Sequence, residues 1–321
     1  MARYIFRRAL AAVPLIFGLL TVTFFVVHLA PGDPTSFYMQ ADVDPKYAEN
    51  LRRAFGLDQP LLVQYWHWLG SVLTGDFGMS FSKHAPVRDI LLETIPRTLL
   101  LTSAALLLDF VVGIFLGIVS ALRRGTALDR TLSVAALFLY SMPEFWLGLM
   151  LILAFSGAIP LFPASGMQSP MADYLPPFAY ALDVLHHMVL PVFVLGIASA
   201  AATARYMRAS MLEVIHLDYI RTARAKGLSE FLVIGKHAVR NAMLPIITLY
   251  GLSLPFLLGG AVIVESVFGW PGMGKVVVDA IFTRDYPLII ACTMISGIMV
   301  ILGNLTADIL SAFADPRIRL E

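Results

Sequence analysis

Thr98-Leu-Leu-Leu-Thr-Ser-Ala-Ala-Leu-Leu-Leu-Asp-Phe-Val-Val-Gly-Ile-Phe-Leu-Gly-Ile-Val-Ser-Ala-Leu122 decides the fold class. Its one charged residue is Asp109, and it lies between Arg97 and the pair Arg123 and Arg124. A hydrocarbon core about 30 Å thick needs roughly 20 apolar residues in helix. This stretch is long enough, and its basic ends sit where a membrane-spanning helix meets water. Five more stretches share the pattern, at 9–30, 131–155, 187–205, 243–266 and 286–312. The fourth in chain order, 187–205, is diluted by Gly196, Ala198, Ser199, Ala200, Ala201 and Ala202. Small residues let helix backbones approach closely in lipid, so that span is expected inside a bundle. The expectation is an all-α membrane protein of six transmembrane helices.

Composition agrees. Of 321 residues, 58% are hydrophobic and 14% charged, with a mean hydropathy of +0.78. A soluble domain carries about 25% charged residues, and a lipid-facing surface removes that need. The net charge of +1 suggests no nucleic-acid partner. The single cysteine, Cys292, excludes an intramolecular disulfide and a multi-thiolate metal site. The first apolar stretch follows Arg3, Arg7 and Arg8 as a secretory signal would. It is longer than a signal's apolar core and no Ala-x-Ala site follows, so it reads as a span.

Orientation follows the Lys/Arg bias, which favours the cytoplasmic side. With the N-terminus inside, the cytoplasmic segments collect Arg3, Arg7, Arg8, Arg123, Arg124, Arg130, a basic loop running from Arg205 to Arg240, and Arg317 and Arg319. The outer segments hold fewer basic residues over longer sequence. Both termini are therefore expected in the cytoplasm. The expected organisation is a cytoplasmic N-terminus and first helix (1–30), an extracytoplasmic cap (31–96), and a five-helix core (97–321). The cap includes an amphipathic piece at 61–73 with Tyr65, Trp66 and Trp68, aromatic residues that suit a membrane interface.

The cytoplasmic loop between the fourth and fifth spans, 206–242, reads as a knob. Tyr219, Ile220, Ala223 and Arg224 fall on one face of a short helical pattern that stops at Gly227, a residue suited to left-handed backbone. Phe231, Ile234, His237 and Ala238 recur at helical spacing after Ser229, a candidate N-cap. Small Ala223 and Ala225 would let a partner approach, and Arg224 would offer a planar donor. The same residues also suit an ordinary positively charged loop that only fixes topology.

Several motifs together resemble the permease subunits of ATP-driven importers, and more narrowly the first permease of the dipeptide/oligopeptide/nickel family. They are Pro31-Gly-Asp-Pro34, Phe55-Gly-Leu-Asp-Gln-Pro60, Gly75-Asp-Phe-Gly-Met-Ser80, Ser141-Met-Pro-Glu-Phe-Trp146 and Asp218-Tyr-Ile-Arg-Thr-Ala-Arg-Ala-Lys-Gly227. Arg240-Asn-Ala-Met-Leu-Pro245, Phe268-Gly-Trp-Pro-Gly-Met-Gly274, Arg284-Asp-Tyr-Pro287 and Asp315-Pro-Arg-Ile-Arg319 complete the series. The resemblance spans nearly the whole chain. The broad importer motif, Glu-Ala-Ala, three residues, then Gly, with Ile-x-Leu-Pro further on, is kept here only at Ala223 and Gly227: Arg221 and Thr222 fill its first two positions, and its later ones fall on His237, Val239 and Arg240. The resemblance implies that Asp218, Tyr219, Ala223, Arg224, Ala225, Lys226 and Gly227 couple the bundle to a cytoplasmic ATPase. It also implies a second homologous permease, two ATPase subunits, an extracytoplasmic solute-binding protein, and a bacterial or archaeal cytoplasmic membrane. The implied cargo is di- or oligopeptides, with nickel chelates and glutathione as alternatives.

Other features are weighed against that frame. Gly269-Trp-Pro-Gly-Met-Gly274-Lys275 imitates a phosphate-binding loop, but Val276 stands where a Ser or Thr should hold magnesium. ATP is therefore expected on another polypeptide, and the chain is expected to be no enzyme. Intramembrane acids are functional candidates by default. Glu144 follows Pro143, which interrupts the helix ladder and frees a carbonyl. With Ser141 and Glu265 it is a candidate to line the pore. Asp109, Glu144 and Asp308 could instead form the relay of a proton-coupled secondary transporter, the alternative from another class. The seven histidines are dispersed, and no metal site or cofactor is expected.

Overall fold

The computed structural model describes residues 2–29, 58–253 and 261–314. Helices dominate them, and the described residues hold no strand, only an isolated bridge between Met79 and Pro86. The motifs 31–34, most of 55–60 and 315–319 lie outside the described residues, as does the side chain of Asp308. The chain forms two compact units, residues 1–98 with 271–301 and residues 99–270 with 302–321.

In the first unit, α1 (Ala2–Leu29) carries an apolar stretch at Leu10–Val26. The amphipathic piece forms α2 (Leu61–Leu73). Leu20 and Phe24 of α1 are buried with Tyr65 and Leu69 of α2 and with Met294 of the last helix. Tyr65 keeps its polar end satisfied, with its hydroxyl 2.8 Å from Thr21 Oγ1. Two further helices follow in this unit, α10 (Met273–Thr283) and the start of α11 (Tyr286–Ala314). Arg284 closes α10 in left-handed backbone, φ 54°. The next residue, Asp285, is fully buried and accepts from Ser80 Oγ (2.6 Å), Ser82 Oγ (2.8 Å) and Ser82 N (2.9 Å). The loop at 80–82 is thereby tied to the start of α11.

The second unit holds the rest of α3 (Val87–Leu122), α4 (Ala127–Ser141), α5 (Glu144–Ile152), α6 (Pro177–Val214), α7 (Asp218–Ala225), α8 (Arg240–Ser253) and α9 (Val262–Val267). Small residues bring α3 and α6 together, as expected of helices in lipid. A Cβ at Gly113 would meet Thr203 at 2.7 Å, one at Gly117 would meet Met207 at 2.6 Å, and one at Gly196 would meet Leu108 at 2.7 Å. These pairings rise together in number along both helices, so α3 and α6 run parallel.

Among the described residues three helices are long and apolar enough to cross a membrane: α3, α6 and the part of α11 at Tyr286–Ala307. The third expected span is not one continuous helix. It breaks into α4 and α5, which continues as a π-helical Leu153–Ala158, and the two halves bend by 100°. Pro143 is the physical cause. It has no N–H for the ladder and pushes Met142 into extended backbone, ψ 132°.

Candidate functional site: a loop knob and an acidic cavity

The loop folds as a knob with an inner and an outer face. On α7, Ile220 and Ala223 turn inward and are buried with Met207, Met211 and Val214 of α6. Tyr219 and Arg224 point outward instead. The chain itself therefore covers Ala223, which gives a partner no access to it. Ala225 stays exposed. Gly227 follows in left-handed backbone, φ 75°, and a Cβ there would meet nothing within 4 Å. Backbone conformation, not space, demands glycine at this bend.

Arg224 and Glu230 close the bend from its two sides. Arg224 Nη2 donates to Glu230 Oε1 at 2.7 Å and Nε to Oε2 at 3.2 Å. The paired guanidinium holds the Glu230 carboxyl below its usual range. Ser229 occupies the N-cap position of the short helix Glu230–Leu232 without a side-chain cap bond. Beyond it, Val233–Val239 is π-helical, which shifts the periodicity. Val233 and Ala238, five residues apart, are buried, while Phe231 is 85% exposed. The outer face thus presents Tyr219, Leu228, Phe231 and Leu232 around the Arg224–Glu230 pair.

Asp129 is a site residue that the sequence reading missed. Only 5% exposed, its carboxylate accepts from Arg208 Nε and Nη2 (both 2.9 Å), Ser120 Oγ (2.5 Å) and Gly125 N (3.0 Å). This one side chain ties α3, the turn at Gly125, α4 and α6. Asp129 and Arg208 are 79 positions apart, and no local pattern links them. Arg208 neighbours Met207 and lies one turn before Met211, both in the core beneath the knob.

Further along the same unit is a cavity of about 580 Å³. Asp109 and Thr203 face it from α3 and α6, Tyr140 and Glu144 flank the break, and Ser199 and Tyr206 add polar groups. Asp109 is 4% exposed and accepts from Thr203 Oγ1 at 2.7 Å. The contact of Thr203 with Gly113 fixes this approach. Glu144 lies on the wall of this cavity, just after the break at Pro143. Ser141 bonds back to Leu137 O and is not among the lining residues. Glu265 is fully buried in α9 and does not line this cavity either. The glycine-rich stretch at 269–275 has no phosphate-binding geometry: Lys275 Nζ pairs with Asp279 at 2.7 Å, and Trp270 is buried with Leu101, Val184 and Met188.

Comparison with known proteins adds an independent line. Residues 113–320 match the family described as the binding-protein-dependent transport system inner membrane component, and residues 1–102 match the N-terminal family of such components. The chain is 42% identical over 319 residues to the oligopeptide transport system permease protein AppB of Bacillus subtilis, covering 99% of both chains. It is 40% identical over 334 residues to the di/tripeptide transport system permease protein DppB of Pseudomonas aeruginosa, covering 99% of both. It is 39% identical over 321 residues to the glutathione transport system permease protein GsiC of Escherichia coli K12, covering 100% of both.

Proposed function

We propose, since this chain belongs to the family of inner membrane components of binding-protein-dependent transport systems, that it is a peptide-importing permease whose knob at 218–239 docks on a cytoplasmic ATPase. Relatives named for oligopeptides, di- and tripeptides and glutathione support a peptide-type cargo. The assembly includes a second homologous permease, two ATPase subunits and an extracytoplasmic binding protein. Membership of this family sets aside the proton-coupled carrier. Cargo moves by alternating access, with ATP-driven closure of the ATPases pulling on the knob.

The observation that carries the coupling role is the two-faced knob. Ile220, Ala223, Val233 and Ala238 anchor it to α6, and Tyr219, Phe231 and the Arg224–Glu230 pair remain exposed. Anchoring transmits force and exposure leaves a docking surface. We place six spans in the membrane, with both termini inside. The parallel course of α3 and α6 supports this topology. Two parallel spans need an odd number of crossings between them, and the bent pair α4–α5, taken as one crossing, supplies it.

The test is Gly227→Val in the complete complex reconstituted with its binding protein. Left-handed backbone costs a non-glycine residue about 1–2 kcal/mol, and a β-branched side chain suffers most, so the bend should shift. The expected result is normal insertion, at least tenfold lower peptide uptake, and ATP hydrolysis that cargo no longer stimulates. A cysteine at exposed Phe231 should crosslink to the ATPase in the parent complex. Normal coupling in Gly227→Val together with no crosslink at position 231 in any nucleotide state would reduce the knob to a topology anchor.

A further inference from the structure

The cavity in the second unit is acidic. The described residues on its walls include Asp109 and Glu144 and no Lys, Arg or His. Among the described residues neither carboxylate has an ion-pair partner, and Asp109 accepts its hydrogen bond from a neutral hydroxyl, Thr203. Asp109 is more than nine-tenths buried, in the middle of a membrane-spanning helix. A carboxylate there is costly to keep, and such groups mark solute paths or pair with a charge. Helix α5 begins at Glu144, so its first amides compensate that carboxylate in part. Among the described residues nothing comparable faces Asp109.

The remaining walls suit an organic cation. Tyr140 and Tyr206 offer aromatic faces, which attract an ammonium through the ring quadrupole. Ser199 and Thr203 supply hydroxyls, and Leu106, Phe110 and Leu195 supply apolar surface for what the ammonium is attached to. A volume of about 580 Å³ falls in the range of small-molecule cavities. Phosphate or carboxylate cargo would meet two like charges here, so the cavity discriminates by sign.

We propose that this cavity takes cargo through a primary ammonium group, held between Asp109 and Glu144. The assignment rests on the peptide reading above and deepens it: the α-ammonium of a short peptide is the group recognised inside the membrane. Thr203 is the positioning residue that aims Asp109, and the Pro143 break is what places Glu144 on the same cavity.

The test reads the cavity with and without cargo, in the complete complex lacking only its binding protein. Ser199→Cys places a thiol on the cavity wall, and the parent chain serves as the background for buried Cys292. The probes are two methanethiosulfonates of similar size, one bearing trimethylammonium and one sulfonate. A surface potential of only about one kT per carboxylate should favour the cationic reagent by about tenfold or more. Asp109→Asn with Glu144→Gln should bring the ratio close to one, and Asp109→Glu should keep it. A free-amine dipeptide should slow modification by the cationic reagent, and its N-acetylated form should not.

A ratio near one in Ser199→Cys, or a high ratio unchanged in the neutralised variant, overturns the assignment. So does equal protection, or none, by the free and acetylated dipeptides. Should the double variant fail to assemble, the two single neutralisations answer the same question, each expected to lower the ratio by about sevenfold at one kT per carboxylate. A separate uptake measurement with the binding protein restored judges the peptide reading. If no peptide is imported while the reagent ratio holds, the cargo class is wrong and the cation preference of the cavity stands.

Discussion

Replacing Asp129 by Ala should destabilise the second unit by about 3 kcal/mol. The figure comes from what the substitution exposes. Four hydrogen bonds converge on one carboxylate that is 5% exposed. Removing one member of a buried ion pair costs about 3–5 kcal/mol, because the other charge is left without a partner. Here that charge, Arg208, has a side chain 31% exposed, so it can regain water and the lower end applies. Arg208→Ala should cost more, about 4 kcal/mol, since Asp129 would keep its charge in a far less accessible place with only Ser120 and Gly125 left. The double variant should lose no more than Arg208→Ala alone. The assay is thermal unfolding of the complex in lipid nanodiscs, where about 3 kcal/mol corresponds to a fall of roughly 6–12 °C for a unit of this size. Additivity of the two single effects to within about 0.5 kcal/mol would show that the residues act independently. Together with a shift under about 2 °C for Asp129→Ala, it would refute the staple.

Two further predictions probe packing and the knob. Gly117→Ala should destabilise the complex by about 1–3 kcal/mol in the same thermal assay, because its Cβ would meet the Ala204 backbone oxygen at 2.7 Å as well as Met207. Gly235→Ala, with nothing within 4 Å, should be neutral or stabilising, and similar behaviour of the two would undo the close-packing account. At the knob, the Glu230 carboxyl is held low chiefly by its hydrogen bond from Arg224. A depressed carboxylate contributes stability that is present above its unfolded pKa, about 4.3, and is lost as pH falls through the lower folded value. Amide-exchange protection factors across 225–230 should therefore fall on acidification below about pH 4, and Glu230→Gln should start low and stay flat. Both ends of the pair are exposed, so a small change is expected.

Much of this architecture was legible because bilayer physics writes long signals. The stretch at 98–122 needed only length and one charge to be read as a span, and α3 runs through it. The knob was harder. Gly227 announced its bend through its own chemistry, but the faces of the flanking helices were misjudged. Tyr219, Ile220, Ala223 and Arg224 were grouped by spacing, whereas packing splits them, with the apolar pair Ile220 and Ala223 inside. Beyond Ser229 the period itself changes. The π-helical turn pairs Val233 with Ala238, so a 3.6-residue rule assigned Phe231 to the wrong company. At Pro143 the interruption was readable and the 100° bend was not, since the angle depends on what the two halves pack against. Asp129 carried no sequence signal because its partners Ser120 and Arg208 are contributed by other helices.

These elements meet on one helix, which gives the proposed mechanism a physical route. The middle of α6 lines the cavity through Leu195, Ala198, Ser199, Ala202, Thr203 and Tyr206. Its last turns carry the knob through Met207, Met211 and Val214 and hold the α3–α4 turn through Arg208. From Thr203 to Met211 the helix rises only about 12 Å at 1.5 Å per residue. No proline or glycine interrupts that interval, and kinks concentrate at such residues. The interval is therefore stiff, and a displacement of the knob carries Thr203 with it. Thr203 aims the carboxylate of Asp109, so ATP-driven motion of the knob would re-aim the acid that faces the cargo. The Asp129–Arg208 staple would set the direction of that motion: with α3 and α4 tied to α6, the knob would move a three-helix body, and without the tie it would move α6 against α3 along the tight Gly113 and Gly117 contact. Asp129→Ala should for this reason weaken coupling at temperatures well below its unfolding transition, with ATP hydrolysis retained and uptake per ATP reduced. Unchanged uptake per ATP in a folded Asp129→Ala complex would mean that the glycine contact alone holds the body together.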